Sequence, residues 1–242
     1  MNAIKTFLLA LAVVIGTVVI GFLIWALNPL EASPEALAAL ESDANVTVTE
    51  GDYVTFMPAN SQPTQAFVFY PGGRVDHRAY AVPLRKIAEQ GVLVVLLPVR
   101  LNLAFFEIDA ADKAIPDFPE IRDWVVGGHS LGGVAASLYA KENDDLDGIV
   151  FWASYPSDDS LKNTEMEFTS IYGTLDNSLE SIEASSSLLP SATKFVAIEG
   201  GNHSQFGNYG LQPGDNEAAI SREEQQAQAV DATVGLLKSL EQ

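Results

Sequence analysis

The chain has 242 residues, 13 Lys and Arg against 32 Asp and Glu, no cysteine and a formal net charge of −19. Its 48% hydrophobic content is enough for a packed core, which excludes wholesale disorder, and the length suits one α/β domain. Without cysteine there is no disulfide framework, thiolate metal site or cysteine nucleophile, and so negative a charge argues against a nucleic-acid partner.

Residues 6–27, TFLLALAVVIGTVVIGFLIWAL, carry no charge. At a helical rise of about 1.5 Å such a stretch spans roughly 33 Å, enough to cross the hydrocarbon core of a membrane. Lys5 precedes it, and Glu31, Glu35, Glu41 and Asp43 follow. A cation in front and acids behind orient a signal anchor with residues 1–5 in the cytoplasm and the body outside. Trp25 suits the interfacial belt at the exit. The competing reading is a cleaved signal peptide, but its apolar core would be only about 7–15 residues long. The best small-residue pair for cleavage, Ala36 and Ala38, also lies late. With Lys5 set aside, the body holds 12 basic and 32 acidic residues, a net −20.

Residues 28–45 read as a tether with Pro29, Pro34 and an Ala- and Glu-rich stretch suited to a short helix. From residue 46 to the end, strand and helix signals alternate. Strands are expected at 46–49 and 53–57, joined by a turn at 50–52, then at 66–70, 92–98, 124–128, 148–153, 168–173 and 194–200. Helices are expected at about 80–90, 131–141, 178–189 and 221–241. Near-continuous apolar strands separated by helices imply a mostly parallel sheet covered on both faces, with functional groups at the carboxyl ends of the strands.

Gly128-His129-Ser130-Leu131-Gly132 matches G-x-S-x-G between an expected strand and an expected helix, the setting of a nucleophile elbow. The bland alternative is a Gly-rich turn with a helix-capping serine. A serine hydroxyl needs a base to take its proton. Of the three histidines, His129 adjoins the serine and should point away from it, and His77 lies upstream. His203 follows a late strand in the order serine, acid, histidine. Asp176, after the strand at 168–173, is the favoured acid, with Asp158 and Asp159 as alternatives. An oxyanion hole needs two backbone N–H donors. Leu131 supplies one, and the loop Pro71-Gly72-Gly73-Arg74 the other, from Gly73 or Arg74 with Gly73 preferred. Arg74, Asp76 and His77 either touch substrate or pair with one another. The three scattered histidines make no metal-ligand set, and no phosphate-cradling or dinucleotide motif is present, so no metal or cofactor is expected.

Taken together, FYPGG, GGHSLGG, IYGTLD and AIEGGNHSQFG resemble the α/β-hydrolase superfamily, in particular its small fold-5 group, relatives of the dienelactone hydrolases. The resemblance covers roughly residues 46–240. It implies an α/β-hydrolase fold and a triad of Ser130, Asp176 and His203. Dienelactone hydrolases use cysteine where this chain has serine, so lactone hydrolysis is not implied. PVRLNL at 98–103 also lacks the Asp-x-x-Gly pattern of larger members. Only about 15 residues, 154–168, polar and acidic in character, stand where lipases often carry an apolar lid, which argues against a dedicated long-chain lipase and for a small substrate and an open site. The expectation is a membrane-anchored serine hydrolase acting on a small acyl ester or thioester. Acyl transfer by the same triad and a non-catalytic binding domain are the alternatives. LNLAFF at 101–106 and QFGNY at 205–209 are either pocket walls or ordinary core.

Overall fold

The computed structural model describes residues 3–241. Helix α1, Ala3–Ala26, stands almost wholly exposed, and only Ala26 is buried against the body. It is long and apolar enough to cross a membrane, with a mean hydropathy of 3.0.

The body is built on an eight-stranded sheet in the order β1-β2-β4-β3-β5-β6-β7-β8. β1 (Val46–Glu50) and β2 (Val54–Pro58) form the expected hairpin, and β2 runs antiparallel to β4 (Leu93–Leu96). β3 (Gln65–Tyr70), β4, β5 (Asp123–His129), β6 (Gly148–Trp152), β7 (Glu167–Gly173) and β8 (Lys194–Ile198) are mutually parallel. Period-two alternation makes both faces apolar. Phe67 and Phe69 point to one layer with α3 (Ala81–Ala88) and α6 (Arg222–Ser239), where Leu84, Ile87 and Leu237 meet them. Ala66, Val68 and Tyr70 point to the other, against Ala135, Ala136 and Tyr139 of α4 (Leu131–Lys141). This is the covered parallel sheet expected from the sequence.

Some elements differ in extent. Helix α3 begins only after a 3₁₀ turn, His77–Tyr80, capped by the Asp76 side chain, and it ends before Gly91 at φ +95°. Pro83 falls in its first turn, where the missing N–H has no helical partner anyway. The expected helix at 178–189 divides into α5 (Leu179–Ala184) and a 3₁₀ turn, Ser185–Leu188. Between β4 and β5 the chain makes four 3₁₀ turns, from Arg100–Asn102 to Ile115–Asp117.

Residues 28–45 lie on the body. Leu30 pairs with Val75 in a parallel bridge, and α2 (Pro34–Ala38) is capped by Ser33. Arg85 donates from Nη1 to the carbonyls of Ala39 (3.0 Å) and Glu41 (2.7 Å), and its Nη2 lies 2.6 Å from Asp43 Oδ2.

The chain leaves β3 to one side for β4 and returns to the other side for β5. Ligands of open α/β sheets bind in the crevice at such a reversal, beyond the carboxyl ends of the strands. In the β3–β5 register Tyr70 faces Gly128, so the loop after β3 emerges beside the turn after β5.

Candidate active site

Ser130 sits between β5 and α4 at φ 52°, ψ −123°, a left-handed conformation that a serine holds only when its surroundings enforce it. Its N–H donates to Trp152 O (2.9 Å), and its carbonyl accepts from Ser154 Oγ (2.6 Å) and Gly133 N (3.0 Å). The turn closes only because side chains are missing on both flanks. A Cβ on Gly132 would collide with the carbonyl oxygens of Tyr70 and Pro71, and one on Gly128 would lie 2.6 Å from Tyr70 O. The glycines of G-H-S-L-G therefore let α4 start against the end of β3.

Asp176 follows β7 and His203 follows β8, both nearly inaccessible at 4% and 2% exposure. His203 Nδ1 lies 2.9 Å from Asp176 Oδ2. The other carboxylate oxygen of Asp176 accepts from Ser178 N (2.6 Å). Two residues not foreseen from the sequence hold the histidine loop. Asp215 accepts from His203 N and from the N–H and hydroxyl of Ser204, and Gln225 of α6 bonds both backbone polar groups of Asn202. His203 Nε2 is buried and has no hydrogen-bond partner among the described residues, Ser130 Oγ included. The alternative acids lie elsewhere: Asp158 is exposed and pairs with Lys141 at 3.6 Å, and Asp159 is exposed.

His129 points away from the Ser130 hydroxyl, as expected, into a buried network. Its Nε2 is 3.0 Å from His203 O and its Nδ1 2.8 Å from Tyr80 Oη. A carbonyl only accepts, so Nε2 carries the proton and Nδ1 accepts from the tyrosine. Tyr80 Oη in turn accepts from Gly72 N (3.0 Å). The loop after β3, the elbow and the His203 backbone are thus joined through one neutral imidazole. Burial, and then the neighbouring His203, hold the His129 pKa well below its usual value. Nothing in the local sequence marks Tyr80 as its partner.

In the loop after β3, Gly72 N–H is engaged by Tyr80, and Arg74 N–H donates to Asn102 O (2.7 Å). Among the described residues neither Gly73 N–H nor Leu131 N–H, the first of α4, has an acceptor. The two residues are neighbours: a Cβ added to Gly73 would lie 2.9 Å from Leu131 Cδ2. Asp76 forms a two-pronged pair with Arg78 and lies 3.7 Å from His77. Burial raises the Asp76 pKa, but the bonds from Arg78 outweigh it and hold the carboxyl below its usual range. Arg74 pairs with neither Asp76 nor His77, because its guanidinium is bound to the end of α1. Among the described residues no group of three or more His, Asp or Glu is placed to hold a metal ion.

The fold agrees with comparisons to known proteins. Among curated proteins none matches the sequence. The dienelactone hydrolase from Anabaena variabilis is similar in structure at 15% identity and a TM-score of 0.60, over 79% of this chain and 98% of that one. Est1E from Butyrivibrio proteoclasticus is similar at 12% identity and a TM-score of 0.56, over 80% and 99%. TT1662 from Thermus thermophilus follows at 13% identity and 0.57, over 79% and 95%. At these identities the likeness concerns the fold. The family profile described as "Alpha/beta hydrolase family" matches residues 66–227, well over half of the sequence, and the chain belongs to that family.

Proposed function

We propose that the protein is a serine hydrolase that cleaves an acyl ester or thioester, with Ser130 as nucleophile, His203 as base and Asp176 as the acid that orients it. The observation that carries this reading is the buried Asp176–His203 pair with a free Nε2, in a domain whose elbow holds Ser130 at φ 52°. Asp176 on Nδ1 leaves the Nε2 lone pair to take the serine proton. His203 Nε2 and Ser130 Oγ are not hydrogen-bonded, and contacts of this kind tighten when a substrate binds.

Ser130 Oγ attacks the acyl carbon while its proton passes to His203 Nε2. The N–H groups of Leu131 and Gly73 receive the oxyanion. Collapse expels the alcohol or thiol, protonated by His203, and water then attacks the acyl-enzyme by the same steps in reverse order of roles. The chemistry needs no cofactor.

The proposed location rests on α1. Its length, its hydropathy of 3.0 and its exposure suit a retained signal anchor, with Lys5 inside and the acidic body outside. Retention is favoured over cleavage because Arg74 and Asn102 of the body bond to the carbonyls of Trp25 and Ala26.

A fluorophosphonate probe tests the reading. The intact protein should be labelled and should hydrolyse p-nitrophenyl esters, and Ser130→Ala should lose both. Equal labelling of the variant rules out Ser130 as nucleophile. Asp176→Asn should keep the fold and lose on the order of 10³–10⁴ in kcat.

A further inference from the structure

Resting on the hydrolase reading above, we infer that the acyl substrate is a membrane-resident amphiphile with an uncharged or zwitterionic head, which reaches Ser130 from the bilayer along the end of α1. The residue next to Gly73 is tied to the membrane helix. Arg74 donates from Nε to Trp25 O and from Nη2 to Asn28 O, each at 2.8 Å, and its guanidinium carbon lies 4.5 Å from the Trp25 ring centroid. Asn102 Nδ2 donates to Ala26 O (3.0 Å), and Leu30 bridges Arg74 and Asp76 through N–H and C=O at 2.7 and 2.9 Å. Arg74, Leu101 and Asn102 all have positive φ, near 55°, so two tight turns present this rim to the helix. A helix that leaves the bilayer at Trp25 therefore holds the loop carrying Gly73 at the membrane surface.

Apolar side chains stand at this rim. Phe105 and Phe106 are 44% and 48% exposed, and the Phe106 ring meets Phe22 of α1 edge-on at 6.1 Å. Phe22 lies about 4.5 Å deeper along the helix than Trp25. Next inward, Leu103 and Leu131 flank Gly73, at 3.6 and 2.9 Å from where its Cβ would stand. Outside α1 and Leu27, the other large apolar side chains exposed among the described residues are Leu37, Leu175 and Leu211, none adjacent in sequence to another. The pair of phenylalanines is thus the body's apolar contact with lipid, in continuity with α1. The head-group preference follows from charge. Arg74 is engaged by the end of the helix, Arg100 and Lys113 share the single carboxylate of Glu107 at 3.6 and 2.6 Å, and the body as a whole carries −20, which disfavours the approach of an anionic head. The short segment at 154–168 leaves no apolar lid, which by itself favoured a small substrate; with Phe106 against Phe22 of α1 at the rim, the bilayer takes the lid's part and that expectation is revised.

The full-length protein in phosphatidylcholine vesicles tests this, with p-nitrophenyl palmitate in the bilayer and p-nitrophenyl butyrate in the water, each rate divided by fluorophosphonate-labelled sites. Wild type should hydrolyse the palmitate ester. The palmitate-to-butyrate ratio should fall about tenfold or more in Phe105→Ser/Phe106→Ser, which gives up the apolar contact. It should fall similarly when a flexible Gly/Ser linker of about 15 residues separates Leu27 from Asn28 and undocks the body. A variant that misfolds shows itself by lost labelling, and the other then decides. Hydrolysis of butyrate alone, or a ratio unmoved in the variants, overturns the bilayer route and leaves the hydrolase intact. A wild type that is neither labelled nor active on either ester overturns the hydrolase reading and this inference with it.

Discussion

His129 is the residue whose buried state has the clearest measurable consequence. Folded, it stays neutral between Tyr80 and the His203 carbonyl, with its pKa well below 6.5. Unfolded, it regains an ordinary value near 6.5. Below that pH the unfolded chain binds a proton that the folded one refuses. Stability from this site is complete above about pH 6.5 and falls by up to about 1.4 kcal/mol per unit as pH drops toward the folded value. His77 is shifted the same way, by burial, and adds to the slope. Urea unfolding at pH 7.5 and 5.5 should therefore show a shallower acid loss in His129→Gln than in wild type, and parallel losses would refute it. The sequence placed His129 beside Ser130 and facing away from its hydroxyl. It could not show the network, because Tyr80 is 49 positions distant and reaches the ring only once β3 and β5 lie side by side.

Among the elements, the β3–β5–α4 junction was the most legible. Its strands are continuous apolar runs and its turn is spelled by glycines whose spacing has a steric cause. That cause predicts a contrast. Gly132→Ala pushes a methyl into the Tyr70 and Pro71 carbonyls and should cost about 1–3 kcal/mol, with loss of probe labelling. Gly210→Ala meets nothing within 4 Å and should stay within about 0.5 kcal/mol. Urea midpoints of the two variants check this, and equal midpoints would count against steric closure of the elbow. Less was legible between β4 and β5, where four 3₁₀ turns have neither the 3.6- nor the 2-residue period that marks longer elements. LNLAFF was accordingly ambiguous between core and pocket wall. In the structure Ala104 is buried and the two phenylalanines after it are exposed. QFGNY proved largely core, with Phe206 and Tyr209 buried beside Tyr80 and His129.

For the whole molecule, the uneven charge separates an apolar helix, with Lys5 as its one charge, from an acidic body, and the structure adds how they meet. Arg74 Nε and Asn102 Nδ2 would be left without their acceptors, the carbonyls of Trp25 and Ala26, if α1 were removed. The protein made in its own host should accordingly keep its full mass and remain in the membrane pellet after an alkaline carbonate wash. A shortened, soluble product would show cleavage instead. The 28–45 segment, tether-like in composition, lies on the body through Leu30, α2 and the Arg85 clamp, because its polar backbone finds partners there.

Composition, periodicity and motif order by themselves determined the covered parallel sheet, the order of its elements, the apolar first helix and the short list of groups at the strand ends. All of these depend on residues near in sequence or on a repeating period. Tertiary structure decided which aspartate meets His203, that Gly73 rather than Arg74 has the unengaged N–H, and that the loop beside it is fastened to the end of α1. Those outcomes rest on contacts between residues 27 to 76 positions apart, set by strand order and register, which local pattern does not encode.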